Sequence, residues 1–333
     1  LKIAHKRRGL DSLTLAFYVG VMDKTMNSML IIIIFLLMGY SYTSYAGEQV
    51  FQDKERDRNI RYKLWMPKSR SPVPLVVVSH GSEGEYPNHK WLISSLVENQ
   101  YAVLALNHPK NTSRNRTKEG VIRVWDRPMD ISRLLDYVLI QPETKARINA
   151  DRIVAAGFSS GGYTVLALAG AIYNPEQMKA YCAGQSRGND CDLAEEKLPD
   201  KIDYSAASNN YRDPRIKAVF AMAPAVGPAI TQQSLEAINV PVYIMAAQND
   251  EILEPTLHAQ YYARHTPNAK LELLSDGGHF LFLQCSLTTR IADWFIKDFE
   301  LCKEKGSQPR KTVWPSISST AYDFFSASLN DYP

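Results

Sequence analysis

A serine at position 159 stands within the pattern Gly-x-Ser-x-Gly, which residues 157–161 complete. In this pattern the serine occupies a sharp turn between a strand and a helix, and the small flanking residues relieve the crowding there. The apolar residues 153–156 precede the motif, and small and apolar residues follow it. A surface turn rich in Gly and Ser, which is the alternative, would not require that order. The pattern therefore predicts Ser159 as a nucleophile for acyl transfer.

A serine hydroxyl is a weak nucleophile near neutral pH. A histidine must remove its proton, and a carboxylate must hold that histidine in the right tautomer. Where the serine lies on a turn of this kind, the acid and then the histidine follow it along the chain. Of the later histidines, His279 lies on a Gly-rich loop after a predicted strand, whereas His258 and His265 fall on a helix predicted to be exposed. His279 is therefore the predicted base, and activity is expected to fall in acid as it becomes protonated.

Asp250 is the predicted acid because it follows the apolar run 242–246. This position is the carboxyl end of a predicted strand, where the sites of parallel sheets collect. Glu251 and Asp276 are the alternatives. Asp276 is so close to His279 in sequence that a turn-forming role fits it at least as well as a catalytic one.

Acyl transfer also needs hydrogen-bond donors for the oxyanion, and these are commonly backbone amides. The amide of Ser160 follows the nucleophile, and the amide of Ser82 lies in a loop directly after the Val-rich run 75–78. His80 precedes Ser159, so a hydrogen bond that shapes this loop suits it better than a role as base. Arg127 lies in the segment that leads into a predicted helix, and it either supports the scaffold or points into the cleft. This chemistry requires no metal and no other cofactor.

The four cysteines permit three disulfide pairings. An even number of cysteines in an exported chain favours disulfides over free thiols. We favour Cys182 with Cys191 and Cys285 with Cys302, because both loops are then short. Zinc binding, the alternative, would be accompanied by CxxC spacing or nearby paired histidines, which are absent.

The first 46 residues are typical of an export signal. Ten apolar residues, 29–38, are followed by polar residues and then by Ser44-Tyr45-Ala46, a small-x-small cleavage pattern. The run is shorter than the ~20 residues that span a bilayer. We therefore predict cleavage after Ala46 and a periplasmic or secreted protein without a stable membrane span. A buried helix or a membrane anchor is the alternative for this run.

Apolar runs and amphipathic stretches alternate along residues 47–333, which is typical of a single α/β domain with a mostly parallel, doubly wound sheet. Strands are predicted over 72–79, 101–106, 152–156, 216–222, 240–246 and 270–274, and helices over 87–99, 129–140, 162–171, 255–265 and near 321–329. The polar residues 174–214, which carry Cys182 and Cys191, interrupt this alternation. They are predicted to form a small cap-like insertion near the carboxyl edge of the sheet.

The charge distribution excludes one class of partner. Residues 1–46 hold five Lys/Arg and two Asp, so the rest of the chain carries 33 basic and 33 acidic residues. A nucleic-acid-binding protein needs a concentrated basic face, and residues 47–333 have no Lys/Arg cluster. The sequence leaves the oligomeric state open.

Several of these motifs together resemble a known family. They are Ser79-His80-Gly81, Arg127-Pro128-Met129-Asp130, residues 157–162, Asp250, and Gly278-His279-Phe280 with Cys285 and Cys302 after it. Over about residues 50–330 the chain resembles the predicted dienelactone hydrolases related to platelet-activating-factor acetylhydrolases. The resemblance implies an α/β-hydrolase fold, metal-free ester hydrolysis through an acyl-serine, and pairing of Cys285 with Cys302. True dienelactone hydrolases resemble one another in using a Cys nucleophile, so Ser159 speaks against dienelactone as the substrate.

The function predicted from the sequence is that of a serine hydrolase acting on a carboxylic ester. The substrate is either a small-molecule ester or a lipid ester, and the acyl-chain preference stays open. A serine peptidase of the same fold is an alternative, because the same three residues can cleave amides and a fold does not set the substrate. A non-catalytic binding protein with this fold is a further alternative, although Ser159, Asp250 and His279 are all present.

Overall fold

The computed structural model describes residues 47–184, 188, 191, 202–295 and 300–330. An eight-stranded sheet runs through it in the order β1-β2-β4-β3-β5-β6-β7-β8. The strands are β1 (Gln49–Asp53), β2 (Arg58–Trp65), β3 (Val73–Ser79), β4 (Ala102–Asn107), β5 (Ile148–Phe158), β6 (Ile216–Met222), β7 (Val242–Ala247) and β8 (Lys270–Leu274). Strand β2 pairs antiparallel with both β1 and β4, and all other pairs are parallel. The predicted mostly parallel α/β sheet is thus confirmed.

Ten α-helices are described, and they flank the sheet. They are α1 (Lys90–Glu98), α2 (Lys118–Ile122), α3 (Asp126–Ile140), α4 (Pro142–Lys145), α5 (Ser160–Ala169), α6 (Pro175–Ala183), α7 (Gln232–Glu236), α8 (Ala259–His265), α9 (Leu287–Phe295) and α10 (Trp314–Asn330). Short 3-10 helices cover Tyr86–His89, Gly227–Ala229, His279–Phe282 and Arg310–Thr312. Among the residues so described, no helix is long and apolar enough to cross a membrane.

The centre of the sheet is fully apolar. Strand β3 lies between β4 and β5, and Leu75 through Val78 have no solvent exposure. Strands buried on both faces read as continuous apolar runs, which is why these elements were predictable. Every residue of α5 is buried as well. Its small side chains allow the helix to lie close against the sheet, and this places the turn before it at the carboxyl edge of β5.

Strands β1 and β2 were not predicted, and neither were helices α2, α4, α6, α7 and α9. Strands β1 and β2 carry alternating polar residues at the edge of the sheet, where one side faces solvent and the apolar signal is weaker. Helix α9 follows Cys285 and was also missed. The last helix begins at Trp314, seven residues before the predicted start near 321. The predicted signal segment lies outside the described residues.

Both favoured disulfides are present, which confirms the predicted pairings of Cys182 with Cys191 and of Cys285 with Cys302. The second disulfide closes a 17-residue separation on the segment after His279. Beside it, Arg310 donates through Nη1 to the carbonyls of Phe280 and Leu301, at 2.7 and 2.9 Å. The loop that carries His279 is therefore tied to the segment that precedes α10.

Of the predicted insertion, the structure describes residues 174–184, 188, 191 and 202–214, whereas residues 185–187, 189–190 and 192–201 lie outside the described part. At its start, Asn174 caps α6 by accepting from the amides of Glu176 and Gln177. Near its end, the ring of Tyr204 lies 5.3 Å from that of Trp125, just before α3. The Asn174 amide also donates to the carbonyl of the buried Ala229 at 2.7 Å, so both ends contact the core.

Candidate active site

Ser159 occupies the turn between β5 and α5 with φ 55° and ψ −119°. A positive φ is uncommon for any residue other than glycine. The turn is held from the neighbouring strand, because the Ser159 amide donates to the Met222 carbonyl at 2.9 Å and the Ala225 amide donates to the Ser159 carbonyl at 3.1 Å. These bonds fix a strained backbone so that the side chain is presented at the sheet edge, where it is half-buried.

The glycines of the motif are required by close backbone contacts. A β-carbon on Gly157 would lie 2.1 Å from the Gly161 carbonyl oxygen, and one on Gly161 would lie 2.1 Å from the carbonyl oxygen of Ser79. A β-carbon on Gly162 would lie 2.8 Å from the α-carbon of Pro224. The turn therefore packs directly on two neighbouring loops, and larger residues would push them away.

The structure brings the three predicted residues together. The Nε2 atom of His279 lies 3.2 Å from the Ser159 hydroxyl, and its Nδ1 atom lies 2.8 Å from Oδ2 of Asp250. Both the imidazole and the carboxylate are almost fully buried. The other oxygen of Asp250 accepts from the amides of Ile252 and Leu253, at 3.0 and 2.7 Å, so its carboxylate has a fixed orientation.

Glu251 and Asp276, the alternative acids, make other contacts. Glu251 accepts the backbone N–H of His279 at 2.9 Å, so it bonds to the main chain of that residue. Asp276 is half-exposed, and it accepts from the amide and the hydroxyl of Ser307, which lower its pKa. The His279 ring itself is bonded by Asp250.

The expectation that His258 and His265 lie on an exposed helix is wrong for the first of them. His258 is only 2% exposed, and its Nδ1 accepts the amide of Gly227 at 3.2 Å. It stands at the start of α8, which packs its Tyr262 into the core. The apolar face of this short helix is narrow. The spacing of apolar residues in α8 therefore did not indicate that His258, which directly precedes the helix, is buried.

The loop after β3 lies against Ser159. A β-carbon on Gly81 would be 3.4 Å from Cβ of Ser159 and 3.0 Å from the ring of Phe158. Within the described part of the chain, the amides of Ser82 and Ser160 donate to no protein acceptor. Both predicted oxyanion donors therefore lie on the two segments that meet at Ser159.

His80 and Arg127 both brace this loop from behind. The His80 ring is fully buried, its Nε2 accepts the backbone N–H of His108 at 3.0 Å, and its Nδ1 lies 2.6 Å from the Gly81 carbonyl oxygen. Burial lowers the pKa of His80 well below its usual value. Arg127 donates to the His80 carbonyl and, at 3.0 Å, to the Thr164 hydroxyl. Its side chain thus supports the scaffold, which the sequence had left undecided.

Sequence reasoning missed His108 altogether. It directly follows β4, at the same sheet edge as Ser79, and this position is the one signal that could have identified it. Among the residues that the structure describes, no group of three or more His, Cys, Asp or Glu side chains is arranged to hold a metal ion.

Comparisons with known proteins bear on the fold. No protein-family model matches the chain, and no curated protein matches it. The chain is similar in structure to a ferulic acid esterase from Streptomyces cinnamoneus, with 18% identity, a TM-score of 0.56, and coverage of 86% of this chain and 89% of that one. It is also similar to the carboxylesterase Cest-2923 from Lactobacillus plantarum, with 13% identity, a TM-score of 0.51, and coverage of 85% and 98%.

Likeness at such low identity establishes architecture and not activity. The strand order, the mostly parallel pairing and the turn at Ser159 agree with that architecture. The chain therefore has the α/β-hydrolase fold.

Proposed function

We propose that this protein is a serine hydrolase that cleaves carboxylic esters through an acyl-serine intermediate on Ser159. The observation that carries the proposal is the continuous hydrogen-bonded array from Ser159 through His279 to Asp250, set at a strained strand-to-helix turn. A buried carboxylate bonded to one ring nitrogen and a serine bonded to the other is the arrangement that activates a hydroxyl.

In the first step, the carboxylate of Asp250 accepts a hydrogen bond from the Nδ1–H group of His279, so the Nε2 lone pair is directed at the serine hydroxyl. The hydroxyl oxygen attacks the ester carbonyl carbon as its proton passes to Nε2. The resulting oxyanion is bound by the amides of Ser82 and Ser160, which have no other protein acceptor in the described part of the chain. The imidazolium then gives its proton to the leaving alcohol, and the C–O bond of the ester breaks.

In the second step, water replaces the alcohol beside His279. The imidazole removes a proton from the water, whose oxygen attacks the acyl carbon, and the same two amides bind the second oxyanion. Collapse of this intermediate breaks the bond to Ser159 and returns the proton to its hydroxyl oxygen. The acid product leaves, and the site regains its starting protonation.

We further propose that residues 1–46 direct export, with cleavage after Ala46, and that residues 174–214 form a cap over the site. The two disulfides support export, because structural disulfides persist in oxidising compartments. The cap is supported by the contacts that both ends of the segment make with the core, from Asn174 to Ala229 and from Tyr204 to Trp125. N-terminal sequencing of the mature protein tests the cleavage position directly.

The hydrolase proposal is tested with a fluorophosphonate probe followed by peptide mass mapping. We expect one adduct, on Ser159, and turnover of p-nitrophenyl esters that Ser159→Ala abolishes. The exposed Ser205 provides a matched control, and Ser205→Ala is expected to retain full labelling and turnover. Absence of labelling in the folded wild-type protein would favour a non-catalytic binding protein instead.

A series of acyl chains from acetate to laurate distinguishes small-molecule esters from lipid esters. A parallel assay with peptide p-nitroanilides tests the peptidase alternative, which uses the same three side chains. Peptide cleavage at a rate comparable to that of the esters would overturn the ester assignment.

A further inference from the structure

A second Ser-His-Asp array lies behind the loop after β3 that carries His80, Gly81 and Ser82, which we call the oxyanion loop. The Oγ atom of Ser79 is 2.9 Å from Nε2 of His108, and Nδ1 of His108 is 3.0 Å from Oδ2 of Asp130. The three residues come from the end of β3, the loop after β4, and the first turns of α3. None of them has any solvent exposure.

The hydrogen-bond directions in this array follow from the groups involved. The carboxylate of Asp130 is an acceptor, so Nδ1 of His108 carries the proton and its Nε2 accepts from the Ser79 hydroxyl. Burial and the nearby charge of Arg127 lower the pKa of His108 well below its usual value, so its ring is neutral. Asp130 is further held by Arg58, whose Nε and Nη2 atoms donate at 2.6 and 2.7 Å.

The complete burial of Ser79 means that no ester can reach its hydroxyl. Its Oγ also accepts from Nη2 of Arg127 at 3.4 Å, so the oxygen is engaged as both donor and acceptor. The array therefore has the residue types of a catalytic triad, but a substrate cannot reach it. The array instead contacts the loop that carries His80, Gly81 and Ser82.

The connection to that loop passes through His80. Because the backbone N–H of His108 donates to Nε2 of His80, the His80 proton must be on Nδ1, which donates to the Gly81 carbonyl at 2.6 Å. The Gly81 carbonyl and the Ser82 N–H belong to one peptide group, and in a trans peptide they point in opposite directions. A hydrogen bond to the carbonyl thus orients the amide on the other side and increases its donor strength.

We infer that Ser79, His108 and Asp130 are positioning residues for the oxyanion hole, acting through His80 on the Gly81–Ser82 peptide. The inference rests on the proposed function, since it assigns the Ser82 amide to the oxyanion. Asp130 and Ser79 hold the His108 ring from both sides, and this fixes the main chain of His108. The backbone amide of His108 in turn sets the tautomer of His80. The effect is exerted on the transition state, because only there does the oxyanion form.

The test compares Ser79→Ala, His108→Asn and the double variant with the wild type. Removing a whole oxyanion donor costs about 10²–10³ in kcat, so we expect the loss of one positioning bond in Ser79→Ala to lower kcat about tenfold with KM unchanged. Affinity for a trifluoromethyl ketone, whose adduct with Ser159 places an oxyanion in the hole, should fall by the same factor. The double variant should have the same kcat as His108→Asn, because both substitutions break the same hydrogen bond between the Ser79 hydroxyl and the His108 ring.

Asp213→Asn is the matched control. Asp213 is also a buried carboxylate, bonded to Arg215 and to Ser132 on α3, but it contacts no part of the loop. Urea denaturation should show that it loses stability as the other variants do, while kcat and the ketone affinity stay at wild-type values. If kcat of Ser79→Ala and His108→Asn also stays unchanged, or if kcat falls without a loss of ketone affinity, the inference is wrong.

A measurement that needs no activity separates this inference from the proposed function. Imidazole ¹⁵N NMR should show both His80 and His108 as neutral rings protonated on Nδ1, and the His80 signals should shift in Ser79→Ala. A proton on Nε2 of either ring overturns the inference even in an active enzyme. A wild-type protein with these tautomers but without Ser159 labelling would instead overturn the hydrolase proposal, and the oxyanion role with it, while the hydrogen-bonded path from Ser79 to the Gly81–Ser82 peptide would stand.

Discussion

Gly161 lies so close to Ser79 that a β-carbon on the glycine would be 2.1 Å from the serine carbonyl oxygen. The same β-carbon would be 2.7 Å from the carbonyl oxygen of His80. The second glycine of the Gly-x-Ser-x-Gly motif is thus the point at which the turn with Ser159 touches the start of the oxyanion loop. Both contacts are with main-chain atoms, so a change of side-chain rotamer cannot relieve them.

Substituting Gly161→Ala should therefore damage stability and activity together. We expect a loss of about 3 kcal/mol or more in the free energy of unfolding, because the added methyl group must displace main-chain atoms. The displaced loop carries the Ser82 amide, so kcat should fall as well. Gly47→Ala is the control, since a β-carbon there has nothing within 4 Å. Urea denaturation of Gly161→Ala with a wild-type midpoint would contradict the close contact.

Replacement of Ser159 should reveal the strain at the turn. With φ at 55° and ψ at −119°, we expect Ser159→Gly to be more stable than Ser159→Ala by about 1 kcal/mol. This reverses the usual order, in which glycine is the less stable of the two. Paired urea titrations of the two variants measure the difference. A more stable alanine variant would mean that the turn is not strained.

The roles of the two adjacent carboxylates can be separated by amide substitution. Asp250→Asn would place an N–H where Nδ1 of His279 needs an acceptor, so we expect kcat to fall about 10³–10⁴-fold. Glu251→Gln keeps an oxygen that can accept the backbone N–H of His279, so its kcat should fall less than about tenfold. Steady-state kinetics with a p-nitrophenyl ester provide the comparison. The reverse order of effects would assign the acid to Glu251.

Buried histidines should make the folded state sensitive to acid. Burial lowers the pKa of His89 to about 4, and neither ring nitrogen has a partner among the described residues. Between the unfolded value of about 6.5 and the folded value, the unfolded chain binds the extra proton, so stability is lost as pH falls through that window. His89 alone accounts for about 1.4 kcal/mol per pH unit there, and His80 and His108 act in the same direction.

His89→Leu removes one of these groups while keeping an apolar neighbour for Phe158, whose ring centroid is 5.7 Å from that of His89. The slope of unfolding free energy against pH, measured by urea titration from pH 6.5 to 4, should decrease by about 1.4 kcal/mol per pH unit. An unchanged slope would show that His89 is not a neutral buried group. The measurement does not depend on enzymatic activity.

The two disulfides should differ in their effect on catalysis. Loop lengths of 9 and 17 residues predict a similar loss of about 3 kcal/mol in stability when either is replaced by a serine pair. Only Cys285–Cys302 flanks the segment that Arg310 ties to the His279 loop. We therefore expect the Cys285/Cys302 variant to lose more of its kcat/KM than the Cys182/Cys191 variant, when both are assayed well below their melting temperatures.

The juxtaposition of Ser159, His279 and Asp250 was predictable from sequence because its signals are local. A turn motif needs glycines at set positions around Ser159, and buried strands such as β3 need continuous apolar residues. The order of the elements along the chain then placed Asp250 and His279 after strands that end at the same edge. The favoured disulfides were predicted from the short sequence separation between the two cysteines of each pair, which is also a local property of the sequence.

Contacts between distant side chains were decided by the tertiary structure. The packing of separate elements decided where the Arg127 side chain points and whether His258 is buried. It also decided that His108 joins Ser79 to Asp130. Such choices turn on the register between strands and on side-chain direction, neither of which appears in the periodicity of a single segment. The residue types of the proposed reacting groups could therefore be identified from the sequence alone. The support behind them became visible only when β3, β4 and α3 were packed side by side, because burial is a property of the assembled core.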